Sequence, residues 1–260
     1  MNNGKTIIVT GAASGIGAET CRLLKEQGAT VIGVDLNETE NADRFFQADL
    51  SDPASIDALV ADLPDGADGL ANIAGVPPTL NAETVLKVNL YGLQRLTLGL
   101  VPKLADGASI ANLASLAGFG WPNAVDQVKR TLELSLEDDV EGFCEAEGLN
   151  EVEGGRSYFL SKEALIVWTL QNRWTWRERG ITMNCISPGP VDTPILGDFL
   201  KTLGERAEED RKHMDRPGTP KDVAPVVAFA LSDHAKWFRG SNLTVDGGMS
   251  GHILSKVHQL

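Results

Sequence analysis

Cysteine is scarce in this chain: Cys21, Cys144 and Cys185 stand far apart, in no paired spacing. That argues against a disulfide framework and a thiolate zinc site, and makes a reducing, cytoplasmic compartment the expectation. Histidine is scarce too. His213, His234, His252 and His258 show no ligand spacing, so no metal is expected. Positive charge is in deficit, 23 Lys and Arg against 36 Asp and Glu, for a net charge of -13. Such a surface repels phosphate backbones and anionic headgroups, so neither nucleic acid nor a membrane is expected as partner. Long apolar runs are missing as well. The N-terminus passes directly into the short run Thr6–Thr10, too short for a signal peptide or a span. A Gly-x-Ser-x-Gly elbow is absent, which leaves a hydrolase without support. What is plentiful is apolar residues, 42% of 260, enough to fill the core of one large α/β domain.

Short β-branched runs alternate with helical patterns along the chain. Strands are expected at 5–10, 30–34, 45–48, 69–73, 109–113, 182–186 and 242–245. Helices are expected at 18–27, 53–63, 84–104 and 221–231, with a long one opening near Ser157. Strict alternation predicts a parallel sheet covered on both faces. Between the first strand and helix lies Gly11-Ala-Ala-Ser14-Gly15-Ile16-Gly17, and the second strand ends at Asp35. Strand, glycine turn, helix, strand and acid form the context in which a dinucleotide is bound. Glycines let the backbone approach a pyrophosphate, and the helix N-terminus stabilises its charge. Asp35 can accept from both ribose hydroxyls and repels a 2′-phosphate. No Arg or Lys stands beside it, so NAD is expected over NADP. The alternative is an ordinary turn with small residues for packing.

Tyr158 and Lys162 are four apart on the long helix, hence one turn apart on one face. An ammonium near a phenol favours the phenolate. Lowering a tyrosine by two to three units from its usual value takes roughly 3–4 kcal/mol, within reach of a cation in a partly dry cleft. The plain alternative is a snorkelling lysine beside a half-buried tyrosine.

The ordered set Thr10-Gly-Ala-Ala-Ser-Gly-Ile-Gly17, Asp49, Asn72-Ile-Ala-Gly75, Asn89, Ser115, Tyr158-Phe-Leu-Ser-Lys162, Pro188-Gly-Pro-Val-Asp-Thr193 and Asp246-Gly-Gly248 resembles the short-chain dehydrogenase/reductase family over essentially the whole chain. The resemblance implies a single α/β domain built on a doubly wound, seven-stranded parallel sheet of Rossmann type, and hydride transfer between NAD(P) and an alcohol or carbonyl. It implies Tyr158 as acid/base, Lys162 on the nicotinamide ribose, Ser115 on the substrate oxygen and Asn89 holding a relay water. Cofactor contacts are implied for Gly11, Ser14, Gly15, Ile16, Gly17, Asp35, Asp49, Leu50, Asn72, Ala74, Gly75, Tyr158, Lys162, Pro188, Gly189, Val191 and Thr193. Framework segments such as 72–77, 162–168 and 183–190 resemble a branch oxidising coniferyl-type aromatic alcohols. A hydroxysteroid or cyclic ketone is the alternative substrate, and a non-catalytic dinucleotide sensor the alternative class. Relatives assemble, and a homodimer is expected over a tetramer.

Three departures from the family pattern stand out, one of them a trimmed segment between Gly75 and Asn89. Residues 37–44 leave room only for a turn where a helix is usual. Trp121–Arg156 reads as an acidic insertion of about two helices, a cap over the cleft or a block on one subunit contact. Residues 194–216 read as a substrate lid, its apolar face being Ile195, Leu196, Phe199, Leu200 and Leu203. With Phe119 and Trp121 opposite, an apolar or aromatic substrate is expected.

Overall fold

Ile7, Ile8 and Val9 of the first strand are all fully buried. A period of two sends Ile7 and Val9 to one face and Ile8 to the other. Ile8 packs with Ile32, Leu70, Ile110 and Met183 beneath Leu59, Leu90 and Leu165. Ile7 and Val9 join Val31, Ala111 and Ile186 against Cys21, Leu24, Val223 and Val227. A strand apolar on both faces requires helices on both sides, and the two core layers supply them.

A computed structural model describes residues 1–152, 154–194, 196–203 and 214–260. Its strands are β1 (Thr6–Thr10), β2 (Thr30–Asp35), β3 (Arg44–Gln47), β4 (Ala67–Asn72), β5 (Leu104–Leu113), β6 (Thr182–Pro188) and β7 (Asn242–Val245). They form one parallel sheet in the order β3-β2-β1-β4-β5-β6-β7. The doubly wound seven-stranded architecture is the one expected. The order reverses where β1 meets β4, and connections leaving in opposite directions open a crevice at the carboxyl ends there.

The helices are α1 (Gly15–Glu26), α2 (Pro53–Asp62), α3 (Ala82–Leu86), α4 (Leu93–Leu100), α5 (Val125–Leu132), α6 (Val140–Ala146), α7 (Arg156–Gln171), α8 (Leu196–Leu203), α9 (Pro220–Ala230) and α10 (Met249–His258). The single helix expected over 84–104 is instead interrupted by a π turn, Lys87–Gly92, between α3 and α4. At its end Gly92 lies so close to α2's approach that an added Cβ would sit 1.8 Å from the Leu50 carbonyl oxygen. Between β2 and β3 there is no helix, as expected.

The insertion forms α5 and α6. Val128, Leu136, Val140, Cys144 and Leu149 are buried in the same core as Leu86, Leu90 and Leu165. Tyr91 donates its hydroxyl to the Thr131 carbonyl at 3.0 Å, and Arg95 joins Asp57 to Glu137. The two helices therefore lie along the flank made by α3, the π turn, α4 and α7. The insertion's far end meets α8 and the loop after β4, where a Cβ on Gly155 would lie 3.2 Å from both Pro78 and Thr202. Of the expected lid, α8 is described. Ile195, residues 204–213 and the side chains of Phe199, Leu200 and Leu203 lie outside the described residues.

Candidate active site

At the carboxyl end of β1 the chain turns sharply through Gly11, whose φ of 71° favours glycine. Space forbids a side chain as well. A Cβ on Gly11 would lie 2.9 Å from Ala74 Cα, and one on Gly17 would lie 1.9 Å from the Gly11 carbonyl oxygen. A Cβ on Gly15, at φ 53°, would lie 3.3 Å from the Thr193 side chain, so the segment after β6 closes over the turn. Ile16 packs into the second core layer. α1 starts at Ser14 with no side-chain cap and no acid in its first turn. Its positive end is thus offered to an anion rather than satisfied internally. Asp35 ends β2, with one carboxylate oxygen accepting from Ala13 N and the other from Asn37 N, both at 3.0 Å. An open glycine cradle, an uncapped positive helix end and an acid on the neighbouring strand fit a dinucleotide.

Other expected cofactor residues divide by what their side chains do. Asp49 accepts from the Ser51 N–H and hydroxyl at 2.7 Å, holding the turn into α2, while Leu50 is buried beside Gly92. Asn72 is buried, and its amide nitrogen donates to Thr97 and Asn112 at 2.9 Å. Its side chain is therefore committed to the interior, which leaves its backbone for the contact expected there. Ala74 N donates to the Thr10 hydroxyl at 3.0 Å. Gly75 is the point of closest approach: a Cβ there would meet Asn89 Oδ1 at 3.1 Å and Lys162 Nζ at 3.7 Å. Past β6, Gly189 N donates to Val245 O at 3.0 Å, and Val191 bridges to Gly218. Thus Pro188, Gly189, Val191 and Thr193 run from the sheet edge back to the glycine turn.

Ser115, Tyr158 and Lys162 meet beside this turn. Ser115 follows β5 and caps the next short helix through Ala117 N at 3.1 Å. Lys162 Nζ donates to the Leu113 carbonyl at 2.9 Å and stands 5.6 Å from the Tyr158 ring centroid. Both side chains are nearly buried, Tyr158 at 8% and Lys162 at 4% exposed. Burial holds the Tyr158 phenol above its ordinary range, and a hydrogen bond with the Ser115 side chain pulls the other way. Burial brings the Lys162 ammonium down to about 8, with Cys185 opposing. The expected lowering of the phenol by the lysine is thus corrected for the protein alone. The cleft that was to strengthen the cation's pull also removes water from the phenolate, and that desolvation outweighs the hydrogen bond with Ser115. Asn89 sits in the π turn, fully buried, accepting from Val76 N at 2.8 Å and donating to Val76 O at 3.1 Å. It pins the loop after β4 against the lysine.

Several residues acting on this site escaped the sequence reading. The Thr10 hydroxyl accepts from Ile73 N and Ala74 N, tying the glycine turn to the loop after β4. Asn41 donates to the Ala12 carbonyl at 3.0 Å from the short link between β2 and β3. Asn112 donates to the Thr169 hydroxyl at 3.0 Å, and Thr169 meets Cys185 Sγ at 3.0 Å. This buried row bolts α7 to β5 and β6 two turns below Lys162. The one signal was polar residues ending apolar runs.

Residues 5–125 match the family described as short chain dehydrogenase, and residues 146–250 the one described as enoyl-(acyl carrier protein) reductase. α5 and α6 fall between the two matches except for their end residues Val125 and Ala146. A coniferyl-alcohol dehydrogenase of Pseudomonas sp. (strain HR199 / DSM 7063) is 44% identical over 252 residues, 95% of this chain and 96% of that protein. A 3-alpha-hydroxysteroid dehydrogenase/carbonyl reductase of Comamonas testosteroni is 30% identical, covering 94% and 95%. The crystal structure of the 3-alpha-hydroxysteroid dehydrogenase from Pseudomonas sp. B-0831 complexed with NADH superposes with a TM-score of 0.82 at 32% identity, over 97% of this chain and 99% of that one. Likeness of this extent, on the same sheet and glycine turn, means that the chain belongs to the short-chain dehydrogenase/reductase family of nicotinamide dinucleotide-binding oxidoreductases.

Proposed function

We propose that the protein is an NAD-linked alcohol dehydrogenase that interconverts an aromatic, coniferyl-type alcohol and its aldehyde. The observation that carries the chemistry is the meeting of the Ser115 hydroxyl, the Tyr158 phenol and the Lys162 ammonium beside the glycine cradle. Bound there, the oxidised dinucleotide supplies a hydride acceptor and a positive ring charge that favours the phenolate. Tyr158 Oη takes the alcohol proton during oxidation and returns it to the carbonyl oxygen during reduction. Ser115 donates to that oxygen and stabilises its alkoxide character. Lys162 and Asp35 hold the two riboses, Asp35 favouring the one without a 2′-phosphate. Support for the aromatic substrate comes from the 44% relative and from Phe119 and Trp121 near Ser115 in the chain. A hydroxysteroid or cyclic ketone is the second reading, favoured by the 0.82 superposition.

The assay is NADH absorbance on mixing protein, NAD and a panel of coniferyl, cinnamyl, cyclohexyl and steroid alcohols. Tyr158→Phe is expected to lower kcat by roughly 10²–10⁴-fold while NAD still binds. Retained turnover removes the tyrosine from the reaction. NAD binding without turnover of any alcohol favours the sensor.

Assembly follows from where apolar surface remains. The insertion packs on the α4 and α7 flank, where Leu98 and Trp174 stay exposed, while Trp237, Leu254 and Val257 are exposed on the segments flanking β7 in the chain. A homodimer through the β7 edge is the expected state, measured by light scattering. Among the described residues no helix is long and apolar enough to cross a membrane.

A further inference from the structure

Glu163 directly follows Lys162 on α7 and is almost wholly buried. A carboxylate in such a place needs a partner. Arg156, seven residues back on the same helix, supplies one, with Nη2 2.8 Å from Oε2. Arg156 also reaches off the helix. Its Nε and Nη2 both donate to Gln127 Oε1 on α5, at 3.0 and 2.5 Å. The other end of that amide donates to Glu147 Oε2 at 3.1 Å. Glu147, just past α6, is gripped by Arg130 through two nitrogens at 2.6 and 2.8 Å. Gln127 thus turns its oxygen to a cation and its nitrogen to an anion. The five side chains form one line of charge-assisted bonds from both insertion helices to the helix of the Tyr–Lys pair.

The line passes through the first turn of α7 at Arg156. That helix begins at Gly155, which has a φ of 62° and no side chain to cap the first turn. An uncapped turn leaves backbone donors to fray. Tyr158 stands in this turn, its N–H bonded to the Gly155 carbonyl at 3.0 Å. Arg156, in the same turn, is anchored at one end to the second turn of α7 and at the other to α5. We propose that Arg156 is a positioning residue, and that the insertion acts through it to fix the place of the Tyr158 hydroxyl. This rests on the reading of Tyr158 as the proton carrier.

The decisive variant is Gln127→Leu, which cuts the link between helices and removes no charge. Expected are a kcat about 10-fold lower at unchanged KM for NAD, since small misplacements of a reacting group are costly, and faster hydrogen exchange at the amides of residues 156–162. Arg156→Met is expected to lower kcat further, and Arg156→Lys to recover part of the loss. If Arg156→Met does not fold, Gln127→Leu still decides. Wild-type kcat in Gln127→Leu overturns the proposal, as does a loss confined to KM for NAD. Slowed turnover with unchanged exchange overturns it too, because the loss then arises elsewhere. Exchange needs no substrate. If the wild type turns over nothing, the functional reading falls, while unchanged exchange in the variant independently removes the clamp.

Discussion

Replacing Asp35 by Asn tests the cofactor assignment with little disturbance to the fold. In the structure the carboxylate accepts from the part-buried Ala13 N and the solvent-facing Asn37 N. An asparagine keeps its one oxygen on Ala13 N, and water can take the exposed Asn37 N–H, so thermal stability is expected to hold. The charge is what changes. A 2′-phosphate carries about -1.5 to -2 charges. At about 5 Å and an effective dielectric of 20–40, each charge is repelled by roughly 2–3 kcal/mol. Screening at 0.1 M salt, with a Debye length of about 10 Å, leaves a total of roughly 2–4 kcal/mol. NADP affinity is then expected to rise roughly 30- to 1,000-fold in Asp35→Asn. NAD affinity is expected to fall by about tenfold, because a charge-assisted bond to ribose becomes a neutral one. The assay is fluorescence titration with both dinucleotides at two ionic strengths, the wild-type preference narrowing at the higher. An NAD-to-NADP preference unchanged in the variant would refute the placement of the ribose at Asp35.

Two other tests address the cradle and the lysine. Gly17→Ala places a Cβ 1.9 Å from the Gly11 carbonyl oxygen, so the turn must open by more than a hydrogen-bond tolerance; a displacement near 1 Å is expected to weaken NAD by about 100-fold, and unchanged affinity in calorimetry would show that the turn does not contact the cofactor. Lys162 titrates near pH 8 in the protein alone, below its unfolded value, so above pH 8 the folded free protein binds fewer protons there than the unfolded chain. NAD held by the ammonium must then take up close to one proton at pH 9 and almost none at pH 6.5. Calorimetry in buffers of different ionisation enthalpy measures this, and zero uptake at pH 9 separates Lys162 from the ribose. The same shift makes the charged lysine a cost to stability below about 8 that fades as pH rises towards the unfolded value, and Lys162→Met is expected to remove that slope.

The local periodicities of the chain determined most of the frame. Alternating apolar runs such as Thr6–Thr10 and Thr30–Asp35 became strands because their side chains are buried on both faces. Gly11 and Gly17 are legible as a turn since only glycine fits there, and a spacing of four was enough to stack Tyr158 and Lys162. What the tertiary structure alone decided depends on contacts between distant segments. The π turn at Asn89 lies opposite Leu50, nearly forty residues away in the chain, and no periodicity within 84–104 announces it. That Thr97 and Asn112 take the Asn72 amide also depends on segments 25 and 40 residues away. The direction in which Tyr158 titrates was likewise hidden, because spacing reveals the neighbouring cation but not the water that folding removes. The insertion reads as acidic, but its sequence does not say which acids pair: Glu147 and the adjacent α7 carboxylate Glu163 join a line whose members come together only when three helices pack. Sequence fixes what each segment prefers within a few turns; burial, and with it pKa and pairing, belongs to the assembled fold.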